Sequence, residues 1–209
     1  MKTTWTITIL AAILFVPLFV TRGISWLDFW WWLSANLILL LIPVALLDKD
    51  WREELLGDFR ARIPFKIGLG LVSAGVLFGL FYAGNIVSRK IFPFASAGIA
   101  DIYGFKAHAS PLRVALLMVL VIGPGEELFW RGFLQRRVQR EQGPWKGFAI
   151  ATSVYALVHI GSGNPMLVVA AGLCGLCWGF LYLRAHSLLT NVLSHTVWDI
   201  SVFLLFPLE

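Results

Sequence analysis

Residues 26–47 read WLDFWWWLSANLILLLIPVALL, and after Asp28 no ionisable side chain interrupts the run. An α-helix needs about 20 mainly apolar residues to cross about 30 Å of hydrocarbon. The cluster Phe29-Trp30-Trp31-Trp32 at the head of the run suits the headgroup level, where one edge of an indole stays wet. The stretch predicts a membrane-crossing helix.

The same pattern recurs on both sides of it. Apolar runs cover residues 5–20, 67–87, 144–160, 164–183 and 187–206, and another begins at Leu112. Nothing near Val20-Thr21-Arg22 has the small residues of a signal-peptide cleavage site, so the first run reads as an uncleaved span. Of the 209 residues 58% are hydrophobic and 14% charged, with mean hydropathy +0.78. Soluble domains lie near about 45–50% apolar and about 25% charged. The fold class is therefore all-α, a polytopic transmembrane helical bundle of seven spans. An eighth is added if the irregular stretch after Ile91, with Pro93, Gly98 and Gly104, also crosses. With no repeat or linker in view, residues 1–209 read as one membrane domain. Residues 1–109 hold the N-terminal spans and a surface segment, and 110–206 hold the last four spans.

Residues 48–66 concentrate charge: Asp48, Lys49, Asp50, Arg52, Glu53, Glu54, Asp58, Arg60, Arg62 and Lys66. Trp51, Leu55, Leu56 and Phe59 recur among them at helical spacing, which predicts a short amphipathic helix on the membrane surface. A net charge of +5 would suggest nucleic acid in a soluble protein; here the basic residues lie in loops and set topology. With the N-terminus in the cytoplasm and seven alternating spans, Lys2, Lys49, Arg52, Arg60, Arg62, Lys66, Arg136, Arg137, Arg140, Lys146 and Arg184 fall inside. Arg22, Arg89, Lys90, Lys106 and Arg113 fall outside. Eleven against five favours that orientation. Lipid is an expected partner and nucleic acid is not.

Ionisable groups within spans are costly and are functional candidates by default. Gly123-Pro124-Gly125-Glu126-Glu127-Leu128-Phe129-Trp130-Arg131 predicts a helix restarting at the proline, with both glutamates in its first turn. Glu127 and Arg131, four apart, can pair; Glu126 lies on another face and stays available as a base. Tyr155 and His159 share a face at the end of a later span. His195 and Asp199 share one in the last. Cys174 and Cys177 form a C-x-x-C, but Ala171, Gly175 and Gly179 beside them make a small-residue stripe, and that reads as helix packing rather than redox chemistry.

The order E-E-x-x-x-R, aromatic-x-x-x-H, H-x-x-x-[N/D] on successive spans resembles the CAAX-protease and bacteriocin-processing (CPBP) family of intramembrane endopeptidases, over residues 110–206. The resemblance implies hydrolysis of a peptide bond in a membrane-anchored, lipidated, secreted or C-terminal sorting substrate, in a prokaryotic cytoplasmic membrane. It implies a catalytic group of Glu126, Glu127, His159, His195 and Asp199, supported by Arg131 and Tyr155. Tyr155 replaces the usual phenylalanine. Asp199 stands where better-understood members carry asparagine; an ionised carboxylate cannot donate to an oxyanion, so Asp199 is expected to orient His195. No cofactor is expected, since H-E-x-x-H is missing. The alternative is zinc on Glu126, His159 and His195. From other classes, a proton or ion transporter would place such groups in its pathway, though it usually shows internal duplication. An immunity protein would keep the scaffold without the reaction.

Overall fold

The computed structural model describes residues 2–106 and 109–208. Helix α1 (Lys2–Thr21) leads through a two-residue antiparallel ladder, β1 (Gly23–Ile24) with β2 (Leu27–Asp28), into α2 (Phe29–Leu47). The Asp28 carboxylate accepts from the amides of Trp30 and Trp31 at 3.1 and 3.0 Å, which satisfies free donors at the start of α2. Asp48 caps α3 (Lys49–Asp58) in the same way through the Trp51 amide. Then follow α4 (Ile63–Ile91), the short α5 (Ala95–Tyr103), and a helical run made of α6 (Pro111–Leu117), α7 (Gly123–Phe129) and α8 (Arg136–Gln142). Helices α9 (Pro144–Val158), α10 (Pro165–Ala185) and α11 (Leu188–Ile200) complete the chain.

Among the described residues five helices are long and apolar enough to cross a membrane: α1, α2, α4, α10 and the run Leu188–Leu205. The stretch from Pro111 to Gln142 joins the same two ends of the bundle. Arg113 pairs with Asp28 at one end, and Arg136 pairs with Asp48 and Glu54 at the other. Helix α9 returns from there to the first end, where Arg22 pairs with Asp101 and Asn164 donates to Asp101. Helix α5, nine residues long, spans only about 13 Å at 1.5 Å per residue, so the irregular stretch forms a short extra helix rather than a crossing.

The chain does not break at Gly123-Pro124-Gly125. Helical geometry is continuous, and the winding loosens to π-helix over Met118–Ile122, where the Gly123 amide donates to Met118 O. A proline ring collides with the carbonyl four residues back in a regular α-helix, and it has no N–H to give. The wider turn just before Pro124 relieves both problems. The glutamates therefore sit inside a continuous helix rather than at a freshly opened N-terminus, and the dipole argument for them lapses. A second π segment, Trp130–Gln135, follows them. Extra-residue turns of this kind cluster at functional sites.

The surface segment is docked as well as amphipathic. Trp51 is buried and its indole N–H donates to Leu128 O at 3.2 Å, while Leu56 and Phe59 stay exposed. Asp48 is shared by Arg136 and Arg137, and Glu54 by Arg136 and Arg140. Burial alone would raise the Asp48 pKa, but the Arg136 hydrogen bond, the Trp51 amide and the two guanidinium charges outweigh it and hold the carboxyl below its usual range. A carboxyl depressed on folding adds stability above its unfolded pKa of about 4, and that stability is lost as pH falls through the lowered value. Acidification from neutral pH into that range is expected to lower the thermal midpoint of the wild type more than that of Asp48→Asn. Equal acid sensitivity would remove Asp48 from the account.

The small-residue stripe packs as expected. A side chain at Gly175 would meet Thr152 and Tyr155 at 3.2 Å, and one at Gly179 would meet Phe148 and Thr152 at 3.0 Å, so α10 lies close on α9. Cys174 and Cys177 are free thiols. One hydrophobic cluster runs from Ile7 to Val202, joining the first helices to the last.

Candidate active site

Glu127 is the centre of a buried network. It is 0% exposed; its Oε1 accepts from Arg131 Nη1 at 2.8 Å and from His195 Nδ1 at 2.7 Å. Its Oε2 accepts from Asn191 Nδ2 at 3.1 Å. A carboxylate withdrawn from water is tolerated when it is paired and its oxygens are hydrogen-bonded, and here both are. The Arg131 guanidinium lies between two aromatic faces, 4.8 Å from the Tyr155 ring centre and 5.6 Å from that of Trp178. The expected Glu127–Arg131 pair is present, and it also grips the last helix.

Helix α11 brings in Asn191, His195 and Asp199 at four-residue spacing on one face, all buried. His195 is held from three sides. Its Nδ1 faces Glu127, its Nε2 lies 3.5 Å from Asp199 Oδ2, and its ring stacks on Trp178 with centroids 3.7 Å apart and planes 20° apart. The short contact that orients the imidazole therefore comes from Glu127, with Asp199 a longer second partner. That shifts onto Glu127 part of the orienting work expected of Asp199.

Glu126 is different from its neighbour. Its Oε2 is buried with no hydrogen-bond partner among the described residues, and the Tyr155 side chain lies beside the carboxyl. His159 closes α9. Its Nδ1 lies 2.7 Å from Tyr155 O, and because a carbonyl only accepts, that nitrogen carries the proton. Nε2 is left as an acceptor. Phe19 packs on the ring at 4.5 Å.

Glu126, Tyr155, His159, His195 and Asp199 all line one cavity of about 250 Å³ whose walls are otherwise mostly apolar. Arg131 and Glu127 stand behind it. The N-terminal helices supply wall residues as well, among them Phe19, Trp30 and Phe81. The arrangement offers a carboxylate with one unpartnered oxygen, an imidazole acceptor and a fixed imidazole around a mostly apolar cavity, which is the equipment for acid–base work on a polar bond.

Residues 108–201 match the family model described as type II CAAX prenyl endopeptidase Rce1-like. This region, a little under half of the chain, is similar to the Rce1-like family. With five helices long and apolar enough to cross a membrane the chain is a multi-pass integral membrane protein, and the family that this region resembles is one of endopeptidases. Every candidate residue from Glu126 to Asp199 falls inside the Rce1-like region, whereas the matched segment excludes α1–α5. No curated protein and no solved structure matches the chain.

Two members of the network were not anticipated from the sequence of this Rce1-like region. Asn191 lies one helical turn before His195, so the spacing could have found it. Trp178 carries no motif; only the fold sets its ring against His195. As for metal, among the described residues no group of three His, Cys, Asp or Glu side chains is placed to hold an ion. The alternative set Glu126, His159 and His195 is not among such groups, although a carboxylate on Nδ1 of His195 leaves its Nε2 the nitrogen open to a ligand.

Proposed function

We propose that the chain is an endopeptidase that hydrolyses a peptide bond of a membrane-anchored polypeptide with a water activated by Glu126 and His159. The observation that carries this reading is Glu126: a buried carboxylate with an unpartnered oxygen, facing a cavity it shares with two histidines. Glu126, assisted by His159 Nε2, takes a proton from water as the oxygen attacks the scissile carbonyl. Charge then develops on the carbonyl oxygen, where His195 Nε2–H is the nearest fixed donor once the imidazole carries both protons. On collapse the C–N bond breaks and the proton held by Glu126 passes to the leaving amine. Glu127 and Asp199 keep the His195 ring in place, and Arg131 keeps Glu127 in place.

The test is cleavage of membrane-anchored peptides by the purified full chain in lipid vesicles, with products mapped by mass spectrometry. Chelators are expected to leave the rate unchanged. Loss of activity on chelation with recovery on adding zinc would replace this mechanism by a metal-assisted one.

Trp178 acts on the reaction through His195. Stacked aromatic pairs contribute about 0.5–1.5 kcal/mol. Trp178→Leu is accordingly expected to lower kcat about tenfold with KM little changed, and Trp178→Phe to restore most of it. Trp178 also lines the cavity, and a change in KM alone, or no rescue by phenylalanine, would leave it that wall role and no action through His195.

A further inference from the structure

The cavity lies in one half of the molecule. Apart from Trp178, which lies past the middle of α10, the helices that line it do so with the part nearer the end where Arg22 meets Asp101. Phe19 comes from the last turn of α1, Trp30 from the first of α2, Asn85 from the late part of α4 and Met166 from the first turn of α10. The deepest residues, Glu126 and His195, lie near the middle of their runs. At the opposite end the bundle is closed: α3 is fastened by Trp51 to Leu128 O and by Asp48, Asp50 and Glu54 to Arg136, Arg137 and Arg140. With the cavity displaced toward the Arg22–Asp101 end, we take that as its open end, from which substrate arrives directly or sideways through the leaflet around it.

The two ends differ in charge. The closed end carries Lys49, Arg52, Arg60, Arg62, Lys66, Arg136, Arg137, Arg140, Lys146 and Arg184, and the open end Arg22, Arg89, Lys90, Lys106 and Arg113. Excess lysine and arginine in short loops retains that side in the cytoplasm. We infer that the catalytic cavity opens on the extracytoplasmic face. The substrate is then a polypeptide anchored in the outer leaflet whose scissile bond has already crossed the membrane. A peptide lipidated and presented on the cytoplasmic face would meet the closed end.

The sidedness stands on the charges and the cavity; only the substrate class rests on the proteolytic reading. Two readouts separate them. One cysteine at a time is added to the native Cys174 and Cys177: by Trp26→Cys, at the tip of the ladder where the side chain is 84% exposed, by Ala97→Cys on the exposed face of α5, and by Glu53→Cys on α3. A membrane-impermeant maleimide is applied to intact spheroplasts expressing the full chain, with the unsubstituted chain as blank. Labelling at 26 and 97 is expected in intact spheroplasts, and labelling at 53 only after permeabilisation. The reverse pattern overturns the inference.

The second readout uses two membrane-anchored reporter peptides, cut-site segment outside or inside, expressed with wild type or Glu126→Gln. Wild type alone is expected to cut the outside reporter. Cutting of the inside reporter alone overturns the assigned substrate class. If neither is cut while the labelling is as expected, the proteolytic reading and the substrate class fail together, and the sidedness stands.

Discussion

Glu126→Gln is expected to lower the hydrolysis rate by about 10²- to 10⁴-fold, the contribution of a positioned general base, while the protein remains folded. The second half of that expectation gives the test its force. Glutamine has almost the same shape, and Glu126 holds no ion pair whose loss would leave a charge stranded; its Oε2 has no partner among the described residues. Removing its charge also relieves the cost of burying an ionised group. The thermal midpoint of Glu126→Gln is accordingly expected at or above that of the wild type. A variant that cleaves membrane-anchored peptide at the wild-type rate would remove Glu126 as the base and leave His159 as the candidate. A variant that is both inactive and unfolded would instead place Glu126 in the structural network with Glu127.

Much of this arrangement was legible in the sequence because membrane helices obey strong local rules. A backbone without water must satisfy itself, so apolar runs of the right length declare themselves as helices. Charges that lie inside such runs, such as Glu126, Glu127, His195 and Asp199, stand out for the same reason. The Glu127–Arg131 pair follows from helical spacing alone. The contacts that spacing cannot supply were the illegible ones. Whether Glu127 would reach His195, 68 positions away, depends on how α7 and α11 approach each other, and no periodicity reports that. The Gly-Pro-Gly segment misled for a related reason. Its residues favour a helix end locally, but a π-turn accommodates the proline, and packing on both sides keeps the helix continuous. The added Cβ of residue 125 would touch Leu37 of α2 at 3.2 Å, so the neighbouring helix occupies the space into which a broken chain would have turned.

Arg131→Leu is expected to cost about 3–5 kcal/mol, the penalty for removing one partner of a buried ion pair. The guanidinium is 2% exposed, donates to Glu127 Oε1 at 2.8 Å, and separates the rings of Tyr155 and Trp178. Without it, Glu127 keeps His195 and Asn191 but loses the one permanent positive charge it contacts among the described residues. Glu127→Leu alone should cost a similar amount by stranding Arg131. The double variant is expected to recover part of the loss, because two apolar side chains leave no unpaired charge between α7 and the helices around it. Recovery is expected to be incomplete, since His195 Nδ1 and Asn191 Nδ2 would still lack the carboxylate that orients them, although Asn191 keeps Trp178 O. Thermal unfolding of the four proteins in one detergent gives the coupling directly. If the two single substitutions simply add, the pair is not a unit, and the placing of His195 must be credited to Trp178 and Asp199 alone. If they couple strongly and the double variant is stable yet inactive, the role of Glu127 is to set the imidazole, and the stability of the bundle does not require the charge.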